Sequence, residues 1–199
     1  MERYGRTYIS PEYTREDFLE LGLSLESFDW VWQRALDVFE DRFQRRYFDP
    51  IGILMGDVNR NGFAIMALLC LLIETLYQFR DGLTAAQPGK NRESYVNFLR
   101  LNLPDVFDRA QKAECFYGDI RCGILHSAQT KNGSQLTFGK NYTVELFEGK
   151  KIRVDVRNLA DRIWDYYMEY KGRLLNPEEV YLRENFIKKM KHICRFEDE

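Results

Sequence analysis

The stretch FAIMALLCLLIETLYQF at residues 63–79 is apolar nearly all round, and it restricts the fold more than any other feature of the chain. A helix without a polar face cannot lie on a surface, so it must run through a core with other elements around it. Arg80-Asp81-Gly82 ends it, the glycine standing where helix C-termini commonly take one. The acid inside the run, Glu74, is flanked on its helix face by Cys70, Leu71 and Tyr77. A carboxylate so placed needs a cation to keep it ionised, and Arg121 is the predicted partner.

The most hydrophobic part, residues 63–73, is cut by Glu74 before it reaches bilayer length. The opening MERYGRTYIS lacks the apolar core of a signal peptide. A cytoplasmic protein without membrane association is therefore expected. A chain of 199 residues can bury a self-sufficient core, so folding requires no metal, disulfide or cofactor, and none is expected. Its four cysteines include no CxxC pair, which fits a reducing compartment. The expected class is mainly α: one helical-bundle domain over residues 1–199, with an N-terminal helical extension to about residue 56 and a small β insertion near 134–156.

Local patterns supply the elements. Thr14 and Asp17 are spaced as a capping box before a short helix ending at Gly22. Ser24 is the predicted cap of an amphipathic helix in which Leu25, Phe28, Trp32, Leu36, Phe39 and Phe43 recur every three or four residues. Asp49-Pro50 should stop it, and a glycine-punctuated connection should follow. After a loop at 85–90, Asn91 can cap a helix carrying Tyr95, Phe98 and Leu99. Pro104 suits the first turn of the next helix, whose core stripe is Val106, Ala110, Ala113, Tyr117, Ile120 and Ile124. Runs 135–138, 143–147 and 151–156 alternate in polarity between glycine turns and predict a three-stranded antiparallel meander. Two helices close the chain, one with Leu159, Ile163, Tyr167 and Tyr170 on one face, the other, after Asn176-Pro177, carrying Val180, Phe186, Ile187, Met190 and Ile193. The basic stretch at 188–192, followed by acids at 197–199, reads as a solvated face.

With 29 Lys+Arg against 31 Asp+Glu, the formal net charge is -2, which excludes a broad basic face for duplex binding and makes any nucleic-acid contact local. One segment, FYGDIRCGILHSAQTKNG at 116–133, concentrates chemistry. The planar fork of an arginine binds two phosphate oxygens at once and stays charged. An imidazole titrates near neutral pH and can move protons. Arg121 and His126 together form a minimal kit for breaking a phosphodiester by acid-base catalysis. Asp119 and Cys122 would support them, and the polar exit through Ser127, Gln129, Lys131 and Asn132 could bind substrate. Cys122 and His126 also have a spacing that can bind zinc, but the other possible ligands, His192 and Cys194, are far along the chain and no metal site is expected.

On a regular helix residues 121 and 126 diverge by about 140°, so they form no ready-made pair. Either the helix loosens after Gly123, or the arginine wraps around, or a second chain completes the site along the stripe Cys115, Gly118, Cys122 and His126. Gly118 and Gly123 each cost about 1 kcal/mol in a helix interior relative to alanine. Close approach of another backbone would offset that.

The motif Arg121-Cys-Gly-Ile-Leu-His126, late in a helix of a mainly helical chain, resembles the Rx4-6H motif of the HEPN superfamily (higher eukaryotes and prokaryotes nucleotide-binding domain). The preceding apolar helix with Glu74, the Phe116-Tyr117 approach and the polar exit match the same pattern, so the resemblance covers roughly residues 57–130. It implies a homodimer whose two motifs face one cleft, and a metal-independent endoribonuclease acting on single-stranded RNA, as in toxin–antitoxin and phage-defence systems, with an antitoxin or defence-system protein as partner. His126 would be the acid-base group and Arg121 the phosphate binder. The chain departs from the pattern at Cys122, where active members often carry Asn, Asp or another polar residue. A non-catalytic HEPN-like scaffold that binds RNA or protein is the alternative.

Overall fold

The computed structural model describes residues 2–3, 6–84 and 89–194, and the chain is mainly helical. The predicted loop at 85–90 is described only at its last two residues, and the acids at 197–199 lie outside the described part. Strands β1 (Glu2–Arg3) and β2 (Arg6–Thr7) form an antiparallel pair. Helix α1 (Arg15–Leu19) starts on the predicted box: Thr14 Oγ1 accepts the Asp17 N–H at 3.2 Å and the Asp17 carboxylate accepts the Thr14 N–H at 2.7 Å.

Helix α2 (Asp29–Phe43) begins later than a Ser24 cap would place it. Ser24 instead donates its N–H to Ser27 Oγ at 2.9 Å and holds a turn, which leaves Phe28 76% exposed rather than on the core face. Nor does Asp49-Pro50 end the helix. A π-helical turn (Gln44–Phe48) leads into α3 (Asp49–Leu54), one 3-10 turn (Met55–Asp57) and α4 (Val58–Arg80). In a regular helix the proline ring strikes the carbonyl four residues back. Here Asp49 N–H reaches five residues back to Gln44 O, and the widened turn makes room for Pro50.

The helical run Asp29–Arg80 contains a window long and apolar enough to cross a membrane by length and composition, more than residues 63–73 suggest, because the apolar character continues past Glu74. Within the protein 56% of that window is buried, as in a core helix.

After α5 (Asn91–Asn102), in which Asn91 is the first helical residue and caps nothing, Pro104 lies in a turn and the next helix opens only at α6 (Ala110–Cys115), with Ala110 exposed. A second π-helical turn (Phe116–Arg121) and α7 (Cys122–Ser127) continue it. Of the predicted stripe, Val106, Ala113, Ile120 and Ile124 are buried; at the π-helical turn Phe116 and Asp119 are buried as well, while Tyr117 is half-buried.

Strands β3 (Gln135–Thr137), β4 (Val144–Phe147) and β5 (Lys151–Asp155) form a sheet in the order β3-β5-β4. The sheet is mixed, not the expected meander: β4 and β5 are an antiparallel hairpin, and β3 runs parallel to β5 in the register Leu136 to Val154. The β3–β4 connection crosses the end of β5, where Asp155, fully buried, accepts the Lys140 N–H at 2.9 Å and Asn158 Nδ2 donates to the carbonyls of Lys140 and Tyr142. Sequence alternation carries no information about that crossing. Helices α8 (Val156–Leu174) and α9 (Val180–Cys194) complete the chain.

The chain divides into two compact units. One comprises Met1–Pro50, Gln78–Ala85 and Met168–Glu199, so the N-terminal stretch shares a core with the C-terminal helices. Its centre is aromatic, with the Phe39 ring 5.0 Å from Phe79 and 5.4 Å from Phe186. Its basic stretch is not all solvated: Lys189 is buried and donates to Gln78 Oε1 at 2.9 Å. The other unit, Ile51–Tyr77 with Ala86–Tyr167, contains the sheet and the 116–133 segment. There α4 contributes Leu69, Leu72 and Ile73 to a core shared with Tyr95, Phe98, Phe116 and Ile163. The outward side of α4 keeps Phe63 and Leu71 near half exposed, so the central helix is covered on most faces but not all.

Candidate functional site

Arg121 closes the π-helical turn and His126 lies in α7, so the backbone between them is regular and the two side chains diverge as the spacing predicts. Arg121 turns inward. Its Nη2 donates to Glu74 Oε2 at 2.7 Å, with both side chains largely buried at 14% and 17% exposure. The guanidinium carbon lies 5.5 Å from the centre of the Tyr117 ring, one turn earlier. Burial opposes the charge, but the hydrogen bond and charge of Glu74 outweigh it, and the arginine's pKa is raised above its ordinary value. The predicted Glu74–Arg121 pair is therefore present. Arg121 Nη1 lies 4.0 Å from Cys122 Sγ, a weak contact, and the buried Nε has no acceptor.

His126 faces outward. Its side chain is exposed, and among the described residues makes no hydrogen bond or ion pair with Arg121 or with any other group. The helix ends on Ala128 in the left-handed conformation, φ 52°, whose N–H returns to Ile124 O at 3.0 Å. That conformation costs a non-glycine residue about 1 kcal/mol or more, so contacts further along the loop must hold it.

Those contacts converge on Asp119 and Gly123. Asp119, buried, accepts from Asn132 Nδ2 at 2.7 Å and from Ser134 Oγ at 2.9 Å, and its carbonyl accepts the Lys131 N–H at 3.0 Å. Ser134 Oγ in turn accepts the Ile152 N–H at 3.2 Å and ties the loop to β5. A side chain at Gly123 would meet the Gln129 carbonyl at 2.5 Å. The close approach expected at this glycine is real, but the backbone that approaches belongs to the chain's own loop. Among the described residues Gly118 has no neighbour within 4 Å of a would-be Cβ, so the packing they make does not account for it.

The predicted site residues thus fall into three groups. Arg121 and Glu74 form a buried pair beside Cys122; Asp119 and Asn132 brace a loop; His126, Ser127 and Gln129 are exposed, with Lys131 partly so. Sequence reasoning set Tyr117 in the core stripe rather than beside the arginine it supports, and missed Ser134, which links loop and sheet. Tyr117 could have been found from its position four residues before Arg121; Ser134 had no local signal, since its partners lie 15 and 18 residues away.

A large cleft in this unit opens at neither Arg121 nor His126. It has a volume of about 630 Å³ and lies over Cys115, Gly118, Asp119 and Asn132, with the β4–β5 turn on its far side. Among the described residues no group of three His, Cys, Asp or Glu side chains is placed to hold a metal ion. In comparisons with known proteins the chain matches no family model, no curated protein and no solved structure.

Proposed function

We propose that this chain is a HEPN-type, metal-independent endoribonuclease of the cytoplasm that cuts single-stranded RNA as a homodimer with a composite site, in phage defence or beside an antitoxin. The observation that supports this best is the pairing of roles along one helix: an arginine held ionised by Glu74, and five residues later an unpartnered, solvent-facing histidine. Because the two groups diverge within one chain, a dimer gives each phosphate an arginine and two histidines from two motifs. One imidazole takes the proton of the ribose 2′-hydroxyl as its oxygen attacks phosphorus. The P–O5′ bond breaks and the departing oxygen receives a proton from the second imidazole. Arginine donors neutralise charge on the non-bridging oxygens as it develops.

The second reading, a scaffold that binds RNA or protein without cutting, draws support from the same arginine. Its guanidinium is committed to Glu74, and a cysteine follows it.

Cleavage products distinguish the two. Purified protein in EDTA should leave 2′,3′-cyclic phosphate and 5′-hydroxyl ends on single-stranded RNA and spare DNA, which lacks the attacking hydroxyl. His126→Ala should slow cutting by about 10²- to 10⁴-fold with little change in binding. RNA bound but left intact by the wild type, or cut equally fast by His126→Ala, replaces the enzyme with the scaffold.

A further inference from the structure

We propose that the cleft over Gly118 is a second subsite that holds a nucleotide flanking the cleaved bond, with its phosphate at Lys150 and its base on the glycine floor. The choice of an RNA nucleotide as occupant rests on the function proposed above; the existence of a ligand rests on the cleft itself.

Gly118 is the first observation. It lies in a π-helical turn, an element over-represented at functional sites, and a glycine there weakens helical structure relative to alanine. Gly123 is explained by the loop that covers it, whereas among the described residues no atom lies within 4 Å of where a Cβ at Gly118 would stand. A glycine that the fold does not need, at the floor of a cleft, allows a flat ligand to reach the backbone.

The charges are the second. Around the cleft Arg92 is bonded to Glu114 through Nε at 2.8 Å and Nη2 at 2.6 Å, and Lys151 to Glu148 at 2.7 Å, so these four cancel in pairs. Two groups remain. The Lys150 ammonium is exposed and, among the described residues, makes no ion pair or hydrogen bond; its backbone carbonyl accepts from Cys115 Sγ, which keeps the turn beside the floor. Asp119 meets only neutral side-chain donors, Asn132 and Ser134, and each carboxylate oxygen can accept more than one hydrogen bond. Among the described residues the lining therefore offers one unpaired cation, Lys150, matching the single charge of a phosphodiester. At the floor it offers a carboxylate and a side-chain amide for the N–H edge of a base. A volume of about 630 Å³ admits a nucleotide.

The test measures binding of a 2′-O-methylated RNA hexamer, which the proposed chemistry cannot cut, to the full-length chain by fluorescence anisotropy. Gly118→Leu puts a side chain on the floor, where a Cβ meets no heavy atom within 4 Å among the described residues, so it should weaken binding by about tenfold or more without lowering the melting temperature. Lys150→Ala should weaken it by a smaller factor and reduce its salt dependence. Bound hexamer should also slow alkylation of Cys115. If Arg121→Ala weakens binding and Gly118→Leu does not, the subsite is refuted while RNA contact at the Arg121 motif stands, and the cleavage assay above still decides between enzyme and scaffold. Should Gly118→Leu weaken binding in a protein that never cuts natural RNA, the subsite stands and the enzyme reading falls. Binding unaffected by any of these variants, or no binding at all, overturns the subsite.

Discussion

Removing the carboxylate of Glu74 should destabilise the protein while freeing Arg121, and the two effects have opposite signs in different assays. At 2.7 Å a unit charge pair attracts by about 6 kcal/mol with an effective dielectric near 20. Desolvation cancels much of this, so the measurable quantity is the loss when one partner is removed, about 3–5 kcal/mol for a fully buried pair. Both side chains retain some exposure, 14% and 17%, and water screens part of the orphaned charge. Glu74→Ala should therefore cost about 2 kcal/mol in urea unfolding, and Glu74→Gln, which can still accept a hydrogen bond, about 1 kcal/mol. The folded-state pKa of Arg121 is raised. Its stabilisation is thus fully present below the ordinary arginine value and lost only as pH climbs above it, so the arginine's contribution stays constant from about pH 6 to 9. A double-mutant cycle with Arg121→Ala isolates the coupling. RNA affinity should rise in Glu74→Gln as the fork becomes available to phosphate. A stability loss below about 0.5 kcal/mol with no coupling would show that the pair does not hold the arginine in place.

Three further outcomes follow from the loop and the thiols. Gly123→Ala places a methyl group 2.5 Å from the Gln129 carbonyl, so it should cost about 1–3 kcal/mol despite the better helix propensity of alanine; calorimetry and faster amide exchange at 128–134 would register it. Ser134→Ala removes a donor to buried Asp119 and the acceptor of the Ile152 N–H, which should lower stability by about 1–3 kcal/mol in chemical denaturation. Burial pushes the Cys70 thiol up to about 12 and the Cys194 thiol up to about 11, so at pH 8 a thiol reagent should label only the half-exposed Cys115 and Cys122 until urea is added. Labelling of Cys70 at the rate of Cys122 in the native protein would contradict the packing around α4.

Read without coordinates, the sequence determines the elements whose cause is local. Periodicity places α4, α8 and α9; the Thr14–Asp17 spacing places α1; and the isolation of Glu74 in an apolar run demands the cation that Arg121 supplies. The divergence of Arg121 and His126 is likewise arithmetic on a regular helix. What tertiary structure alone decides involves groups distant along the chain or a change of helical pitch. The π turn at 44–48 carries the helix past Pro50, and the turn at 116–121 buries Phe116 where the spacing expected Tyr117; neither has a spacing rule, because a single inserted residue per turn leaves no periodic trace. The parallel pairing of β3 with β5 depends on Asp155 and Asn158 anchoring a crossing loop, while alternation specifies faces and says nothing of neighbours. Gly118 and Gly123 look alike in the sequence, and only the folded chain, by laying the Gln129 carbonyl over one and leaving the other open, separates a glycine the fold requires from one it does not.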